Sequence, residues 1–465
     1  MMQEFTCEHI RNVSDRLIAA ARKAGAEECA VSLHGSTSSL IRYSKNQIIE
    51  NGEQRSIRAS LAVSIGKREA TFSTSVSPAV DLDAFAAHAV GLVQFFPENP
   101  EHVSPVSASP NLDTRCFDEP TSQRNPRETA DMIDAICRKV DKRNLCAYGT
   151  FTTASDFHSI SNSRGLEAHH RETRVEFTVT VRTHDHSGSC RNAVSHHCFD
   201  RLAIDETLEK TMDWAERSRN PEPIEPGDYT VIMTPTAATN YFMVAMSAFD
   251  ARMVDEGRSA LTHHFATRTP LDRQLFSPLV TIRSRINHPD HPRAAFSQAT
   301  SMDGMAGQGM AGTLYSMGLP VHDGPIVEKG VLKHLFHSLY WAEKKGIQPT
   351  GFPTLVEFEA GTQSVEDLIR STSRGLLVNS FWYIRFVDPN HLLLTGLTRD
   401  GVFLIEDGKI VRPVKNLRFN ESPLSSLKNV VEVGRSERRD AWYSVVLMPA
   451  LKVDGFTFSV ETDAV

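Results

Sequence analysis

The chain has 465 residues, of which 40% are hydrophobic and 23% are charged, and its formal net charge is −7 with an isoelectric point of about 6.3. This acidic balance argues against broad binding to nucleic acid or to anionic membranes, because both need a basic surface. No apolar run approaches the ~18 residues that a membrane span needs, and the first residues do not form the basic and apolar segments of a secretory signal. A chain of this length is expected to form two or three modules.

Seven cysteines are spread widely along the chain, and no two of them form a CxxC pair. An odd number of widely spaced cysteines is typical of a reduced protein with free thiols. We therefore expect a cytoplasmic protein.

Residues 1–100 are predicted to form a first α+β module. A helix with apolar residues at helical spacing covers residues 8–24 and ends at Gly25. Asn51-Gly52 and Gly66-Lys67 are expected to be hairpin turns, and Asp81 is expected to cap a second helix that reaches residue 96. Strands are expected at residues 29–33, 40–49, 57–65 and 69–73.

Residues 101–220 are predicted to form a central α+β module, entered through a loop or linker at 97–126 that is rich in proline, serine and acidic residues. Asn125 and Pro126 mark the start of a helix, because asparagine is a good N-cap and proline fits the first helical position. Strands are expected at 147–160 and 173–183, followed by a helix at 205–217.

Residues 221–465 are predicted to form a β-rich C-terminal domain with a few helices, after a proline-rich break at 220–226. One continuous helix is expected over residues 237–255, and the basic sequence RSERR at 435–439 is expected to be a solvated loop. Asp407-Gly408 is a strong signal for a hairpin turn. The predicted fold class is α+β, with N-terminal modules of helices and antiparallel sheet followed by this β-rich domain.

The block at 375–422 interleaves polar with apolar residues, which indicates a sheet with one face in the core and one face that lines something. An ordinary solvated face is the alternative. The polar set includes Tyr383, Arg385, Thr398 and Arg399.

The chain holds 19 histidines, a high number that makes a metal site a possibility. The histidines and cysteines at 184, 186, 190 and 196–198 could meet on a hairpin, but adjacent residues of a strand point to opposite faces, which favours solvated hairpin residues. The pairs at 263–264, 288 and 291, and 334 and 337 have no third ligand in view. The chain contains no HExxH or HExxxH, no GxSxG and no Walker P-loop.

Four stretches, in order, carry a resemblance to a known family. They are the N-terminal unit at 24–75, the segment DGPIVEKGVLK at 323–333 with 337–351, the block GLTRDGVFLIEDGKIVRPVKNLRF at 396–419 and the sequence SVVLMPALKVDG at 444–455. Together they resemble the TldD/PmbA family, and more closely its PmbA (TldE) branch. The resemblance spans nearly the whole chain.

In the TldD branch, zinc is held by two histidines and a glutamate of an HExxxH helix and by a cysteine near the C-terminus. The segment that resembles this helix, 240–257, has no histidine, and its only side chains that could bind a metal are Asp250, Asp255 and Glu256. The stretch at 434–444 has no cysteine. Zinc needs about three protein ligands for catalysis. The resemblance therefore implies a chain without catalytic residues, metal or cofactor.

The resemblance further implies a heterodimer with a TldD-like zinc peptidase subunit that degrades or trims unfolded peptides. It makes 375–422 the wall of a peptide chamber, with Tyr383, Arg385, Thr398 and Arg399 holding substrate and the sheet backbone capturing peptide by strand addition. The family's older label, modulator of DNA gyrase, does not imply nucleic-acid binding. A stand-alone enzyme with a divergent, metal-independent site and a homodimeric peptide-binding module are the alternatives.

Overall fold

The computed structural model describes residues 7–107, 114–267, 269–297, 317–441 and 444–462. The first half contains six strands and five helices within these ranges. In chain order they are α1 (Cys7–Lys23), β1 (Glu28–Ser44), β2 (Gln47–Ile65), β3 (Arg68–Ser75), α2 (Leu82–Val93), α3 (Glu119–Ser122), α4 (Pro126–Lys142), β4 (Leu145–Asn162), β5 (Glu167–Thr183), β6 (Ser189–His196) and α5 (Ile204–Arg217).

These six strands form one antiparallel sheet in the order β3-β2-β1-β4-β5-β6. Because side chains alternate along a strand, each strand contributes an apolar row to one face. That face is covered by the four longer helices, with Val31 and Leu61 in the core beside α1 and α2, and with Phe151 and Phe177 in the core beside α4 and α5. The opposite face carries polar residues of β4 and β5 and is turned towards the second half of the chain.

The first hairpin turn is not where its sequence signal predicts it. The turn lies at Lys45-Asn46, whose φ angles of 49° and 61° fit a type I′ turn, whereas Gly52 pairs with Leu40 inside the ladder. Asn46 is held there by β4, because its side-chain amide donates to the Leu145 carbonyl at 2.8 Å and its oxygen accepts from an amide of β4 at 2.7 Å. A contact distant in sequence thus places this turn.

Both predicted helix caps and the second turn are confirmed. The Asp81 carboxylate accepts from the amides at the start of α2, and the Asn125 side chain accepts from the Arg127 amide at the start of α4. Gly66, with a φ of 56°, lies in the turn between β2 and β3. The expected linker at 97–126 includes the short helix α3.

The second half is β-rich within the described residues. Its elements are β7 (Gly227–Met233), α6 (Pro235–Phe242), α7 (Ala251–Asp255), α8 (Ala260–His264), β8 (Ile282–Ser284), β9 (Gly324–Glu328), β10 (Val331–Leu332), α9 (Leu339–Lys345), β11 (Leu355–Phe358), α10 (Val365–Arg370), β12 (Arg374–Asp388), β13 (Leu393–Glu406), β14 (Lys409–Pro413), β15 (Asn416–Glu421), α11 (Pro423–Lys428), β16 (Val430–Ala441) and β17 (Ser444–Thr462). The α+β class predicted from the sequence is therefore confirmed.

Five of these strands close into a ring. The eleven-stranded sheet runs β10-β9-β8-β11-β17-β15-β13-β12-β7, and β7 also pairs with β17. Strands β14 and β16 add to β13 and β17 from outside this path. The ring encloses an aromatic core in which Tyr241, Phe381, Phe419 and Phe456 lie with ring centroids 4.9 to 5.8 Å apart. The interior of the ring is therefore filled with side chains.

The prediction of one continuous helix over residues 237–255 is wrong. Helix α6 ends at Phe242, a 3₁₀ segment covers Met243–Phe249, and α7 starts only after Asp250, whose backbone is extended. The break arises because the backbone around Asp250 bonds to Phe336 instead of continuing the helix. The Phe336 amide donates to the Phe249 carbonyl and the Ala251 amide donates to the Phe336 carbonyl, each at 2.9 Å.

The domain boundaries at residues 100 and 220 stay a prediction. Strand β1 pairs with β4 along most of its length, so the two N-terminal segments share one sheet. The core around α4 and α5 also continues into the second half, where it includes Leu377, Phe403 and Ile405. Among the described residues, no helix is long and apolar enough to cross a membrane.

Candidate functional site

The two segments expected to correspond to a zinc site adjoin mainly through the helix in which the first one starts. Helix α6, which contains the first part of 240–257, packs along β16, which contains most of 434–444. The contact includes a hydrogen bond from Arg439 Nε to Thr236 Oγ1 at 3.3 Å. The residues 435–439, expected to be a solvated loop, are therefore part of a strand, and Arg438 is buried with 9% of its surface exposed.

Each of the three carboxylates on this segment has its own structural partners. The Asp250 carboxylate caps α7 by accepting from the Met253 amide at 2.7 Å. Asp255 accepts from Trp341 Nε1 at 2.8 Å and pairs with Lys345 Nζ at 3.0 Å. Burial alone would raise the pKa of Asp255, but these two hydrogen bonds outweigh it and hold the pKa below its usual range.

Glu256 at the end of α7 forms ion pairs with Arg252 and Arg258. The hydrogen bond from Arg258 is the largest cause that lowers the pKa of Glu256. Across the described residues, no three histidine, cysteine, aspartate or glutamate side chains are grouped so that they could hold a metal ion. These carboxylates thus support the local fold of α7 and of its contact with α9.

Two of the four residues predicted to hold peptide, Tyr383 and Arg385, lie on β12 near the tip of the β12–β13 hairpin. Arg399 lies on β13 opposite Ser380. The Arg385 guanidinium lies 4.3 Å from the Tyr383 ring centroid, and the Arg399 guanidinium lies 4.7 Å from that of Trp382. Tyr383 is 61% exposed and Trp382 is 48% exposed. This hairpin tip, defined as Trp382, Tyr383, Arg385, Phe386 and Val387, is an exposed aromatic surface.

Thr398, the fourth predicted residue, has a different position. It is buried, its hydroxyl accepts from the Leu417 amide at 2.9 Å and it donates to Asn416 Oδ1 at 3.3 Å. It therefore links β13 to β15 from inside the sheet. A direct role in holding peptide at any of the four residues stays a prediction.

A buried charge cluster between the two halves was not predicted from the sequence. On the polar face of the first sheet, Glu172 forms an ion pair with Arg293 and lies 3.5 Å from His170 Nε2. Burial would raise the pKa of Glu172, but the charge of Arg293 and the contact with His170 hold it far below its usual range. From β16, Arg438 Nη2 contributes a contact to Asp440 Oδ1 at 3.4 Å. No local pattern signals this cluster, since the three segments that form it are more than a hundred residues apart.

Four histidines adjoin this cluster. The ring of His196 stacks on that of His197 at 4.4 Å and lies 5.3 Å from that of His291, which lies 5.0 Å from His288. Burial, assisted by nearby cations, lowers the pKa of His196 to about 3 and that of His291 to about 4. These two imidazoles are therefore neutral at physiological pH.

The histidines and cysteines at 184, 186, 190 and 196–198, a possible metal site in the sequence, do not form one cluster. Cys190 is buried in the core beside α5, while His184 lies 3.4 Å from the Cys146 sulfur on the opposite face of the sheet. Burial raises the pKa of Cys190, so its thiol stays protonated. The cysteines at positions 29, 116, 137, 146, 190 and 198 are free thiols, as expected.

Comparison with known proteins gives this geometry a family. Residues 226–460, just over half of the chain, match the family described as the PmbA/TldA metallopeptidase C-terminal domain. A protein named metalloprotease from Methanothermobacter thermautotrophicus is 25% identical over 301 residues, which are 60% of this chain and 60% of that protein. The chain thus matches less than two thirds of the length of this relative.

Solved structures share the fold over nearly the whole chain. TldE from Thermococcus kodakarensis has a TM-score of 0.82 at 14% identity, with 96% of this chain and 100% of that chain covered. A candidate modulator of a DNA gyrase from Thermotoga maritima has a TM-score of 0.80 at 18% identity, covering 97% and 100%. One from Bacteroides thetaiotaomicron also has 0.80 at 18%, covering 98% and 99%. At these identities the likeness establishes the fold alone, whereas the match over residues 226–460 shows that the chain belongs to the TldD/PmbA family of metallopeptidase-like proteins.

Proposed function

We propose that this chain is the metal-free, non-catalytic subunit of a two-subunit zinc metallopeptidase of the TldD/TldE type that processes unfolded peptides. The observation that carries the proposal is the set of side chains found in segments 240–257 and 434–444. Guanidinium groups and internally paired carboxylates occupy the segments that resemble the family's zinc-binding segments.

The residues present do not fit zinc. Zinc sites in proteins use about three or four imidazole, thiolate or carboxylate ligands. Segments 240–257 and 434–444 contain neither histidine nor cysteine. The carboxylates of Asp255 and Glu256 already pair with cations. On β16, the charge of Arg439, which bonds to Thr236 of α6, would repel a divalent ion at that contact.

The exposed hairpin tip supports a role in binding a partner chain. Tyrosine, tryptophan and arginine are enriched in the residues that dominate protein interfaces. Here Tyr383 and Trp382 are exposed, and each stacks with an arginine. We assign this surface to contact with the TldD-like zinc subunit.

Peptide capture by strand addition is restricted by the ring topology. Each of the five ring strands has a pairing partner on both sides, so a free peptide cannot add between them. Strand β16 pairs with β17 on one side. On its other side Gly434 bridges to Gln363, and the rest of that edge packs near β6 without a strand partner in the described part of the chain. We place the peptide along β16, between the two sheets.

The test is reconstitution with a TldD-like chain that carries HExxxH. Zinc content and cleavage of an unfolded peptide are measured for each purified chain and for the mixture. We expect stoichiometric zinc and cleavage only when the TldD-like chain is present, and loss of cleavage when the HExxxH glutamate of that chain is replaced by glutamine.

Zinc in stoichiometric amount and peptide cleavage by this chain alone would overturn the proposal and favour a stand-alone enzyme. A stable homodimer that ignores the TldD-like chain, measured by size-exclusion mass, would favour a homodimeric peptide-binding module instead.

A further inference from the structure

Basic side chains from three separate segments meet between β6 and β16. They are His197, directly after β6, His291 and Arg293 from the segment after β8, and Arg438 on β16. The side chains of Arg438 and Arg293 are only 6% and 11% exposed. Lysine and arginine are rarely buried to this extent unless all their donors are paired.

Several polar nitrogens of this group have no hydrogen-bond partner among the described residues. They are Nε and Nη1 of Arg438, Nε of Arg293, and Nδ1 of His197 and of His291, and each of these atoms is buried. The neighbouring carboxylates do not satisfy them, because Glu172 contacts Nη1 of Arg293 and Asp440 contacts Nη2 of Arg438. Each guanidinium therefore keeps at least one buried nitrogen without an acceptor among the described residues.

The ring of His196 lies 4.4 Å from that of His197 and 5.3 Å from that of His291, and β16, which carries Arg438, packs on β6. The charge of Arg438 lowers the pKa of His197 and of His291, although burial is the larger cause for both. The charge of Arg293 likewise lowers the pKa of His197 and of Arg438, with burial again the larger cause. Two like-charged guanidinium groups held together under low exposure are unfavourable unless an anion lies between or beside them.

We propose that Arg293 and Arg438, with His197 and His291, form a binding site for an oxyanion, which we assign to the carboxylate at the C-terminal end of a peptide. The planar guanidinium group binds carboxylate and phosphate oxygens through two parallel hydrogen bonds, and neutral imidazoles add further donors. The assignment to a peptide rests on the proposed function, since β16 is the strand that we expect a peptide to join. Inorganic phosphate offers the same chemistry and is the second source to distinguish.

Each guanidinium is already balanced by one carboxylate, so unpaired donors rather than net charge define this site. It should therefore prefer ligands with several acceptor oxygens over a simple halide. A buried oxyanion site also suits the C-terminus of a peptide better than its middle, since the C-terminus alone carries the α-carboxylate.

The test uses the purified full chain without a partner, titrated in a calorimeter with inorganic phosphate, with an unfolded peptide that has a free C-terminus and with the same peptide amidated. We expect phosphate and the free peptide to bind and the amidated peptide to bind at least about tenfold more weakly. R438K keeps the positive charge but loses Nε and the planar pair of terminal N–H groups. It should weaken the binding of phosphate and of the free peptide about tenfold.

R435K is the matched control, because Arg435 lies on the same strand, is exposed, and donates to the Thr362 carbonyl. It should leave all affinities unchanged. Circular dichroism checks folding, and H291Q provides a second variant if R438K does not fold.

Failure of the folded wild-type chain to bind either phosphate or the free peptide at millimolar concentration would overturn the site. Equal binding of the amidated and free peptides would overturn the assignment to a peptide terminus. Because no partner or cleavage is involved, a chain that binds the oxyanion yet fails to support a TldD-like subunit would keep the site and reject the subunit role.

Discussion

Single residues change meaning once their burial is known. Arg438 belongs to a run of charges that reads as solvated, yet it is buried beside Arg293 and the Glu172 ion pair. Asp255 reads as a possible ligand, yet Trp341 and Lys345 already bind it. The charge of a side chain is visible in the sequence, whereas the environment that decides its chemistry is assembled from distant segments.

The buried histidines give a pH dependence of stability at the residue scale. The pKa of His291 is about 4 in the folded chain, below the ~6.5 of an exposed histidine, so the unfolded chain binds more protons between these values. The contribution of His291 to the free energy of unfolding is therefore complete above pH ~6.5 and is lost as the pH falls towards 4. We expect H291Q to show a shallower loss in urea denaturation between pH 7 and 5.

The matched control is H88Q, which changes an exposed histidine on α2. It should follow the wild-type pH dependence. An identical pH slope in H291Q and wild type would show that His291 does not carry this linkage.

At the scale of elements, caps and strong turn signals are reliable, and breaks imposed by distant pairing are not. Asp81 and Asn125 begin their helices as predicted because a cap is satisfied within its own turn. The hairpin at Lys45-Asn46 and the break at Asp250 instead depend on β4 and on Phe336.

The placement of the first turn can be tested by comparing two asparagines. Asn46 to alanine removes the bonds to the Leu145 carbonyl and to an amide of β4 and leaves a residue with a Cβ at positive φ. We expect a loss of about 2 kcal/mol in the free energy of unfolding, measured by urea denaturation.

Asn51 to alanine is the control, because Asn51 lies within β2, opposite Ile41. Its expected effect is within about 0.5 kcal/mol. A larger loss for Asn51 than for Asn46 would contradict the observed turn.

At the scale of the whole molecule, the two halves share one core and face each other across a polar layer. Asn379 links them, donating from Nδ2 to the Arg191 carbonyl at 2.9 Å and to the Asp400 carbonyl at 3.0 Å. Ser189 adds a hydrogen bond from its hydroxyl to Asp400 at 2.9 Å. The exposed hairpin tip lies on the outer end of β12, where a second chain can reach it.

The proposed partner surface gives a prediction at this scale. W382A should weaken binding to a TldD-like chain by about tenfold or more, because an exposed aromatic anchor is lost, while the thermal midpoint of the isolated chain stays unchanged. Calorimetry or biolayer interferometry measures the affinity.

V411A is the control, since Val411 is 49% exposed on β14. It should not change the affinity. If W382A bound the partner as tightly as wild type, the hairpin tip would not be the interface.

The sequence by itself determined the α+β class, the helix caps, the Asp407-Gly408 hairpin and the membership in the TldD/PmbA family, because each depends on local pattern or on motif order. It also showed that histidine and cysteine are missing from the two segments that resemble the zinc-binding ones. Only the tertiary structure decided that α6 packs on β16, that the ring of strands is filled, and that Arg293 and Arg438 are buried. The physical reason is that burial and charge pairing are set by contacts between residues more than a hundred positions apart, which no local periodicity records.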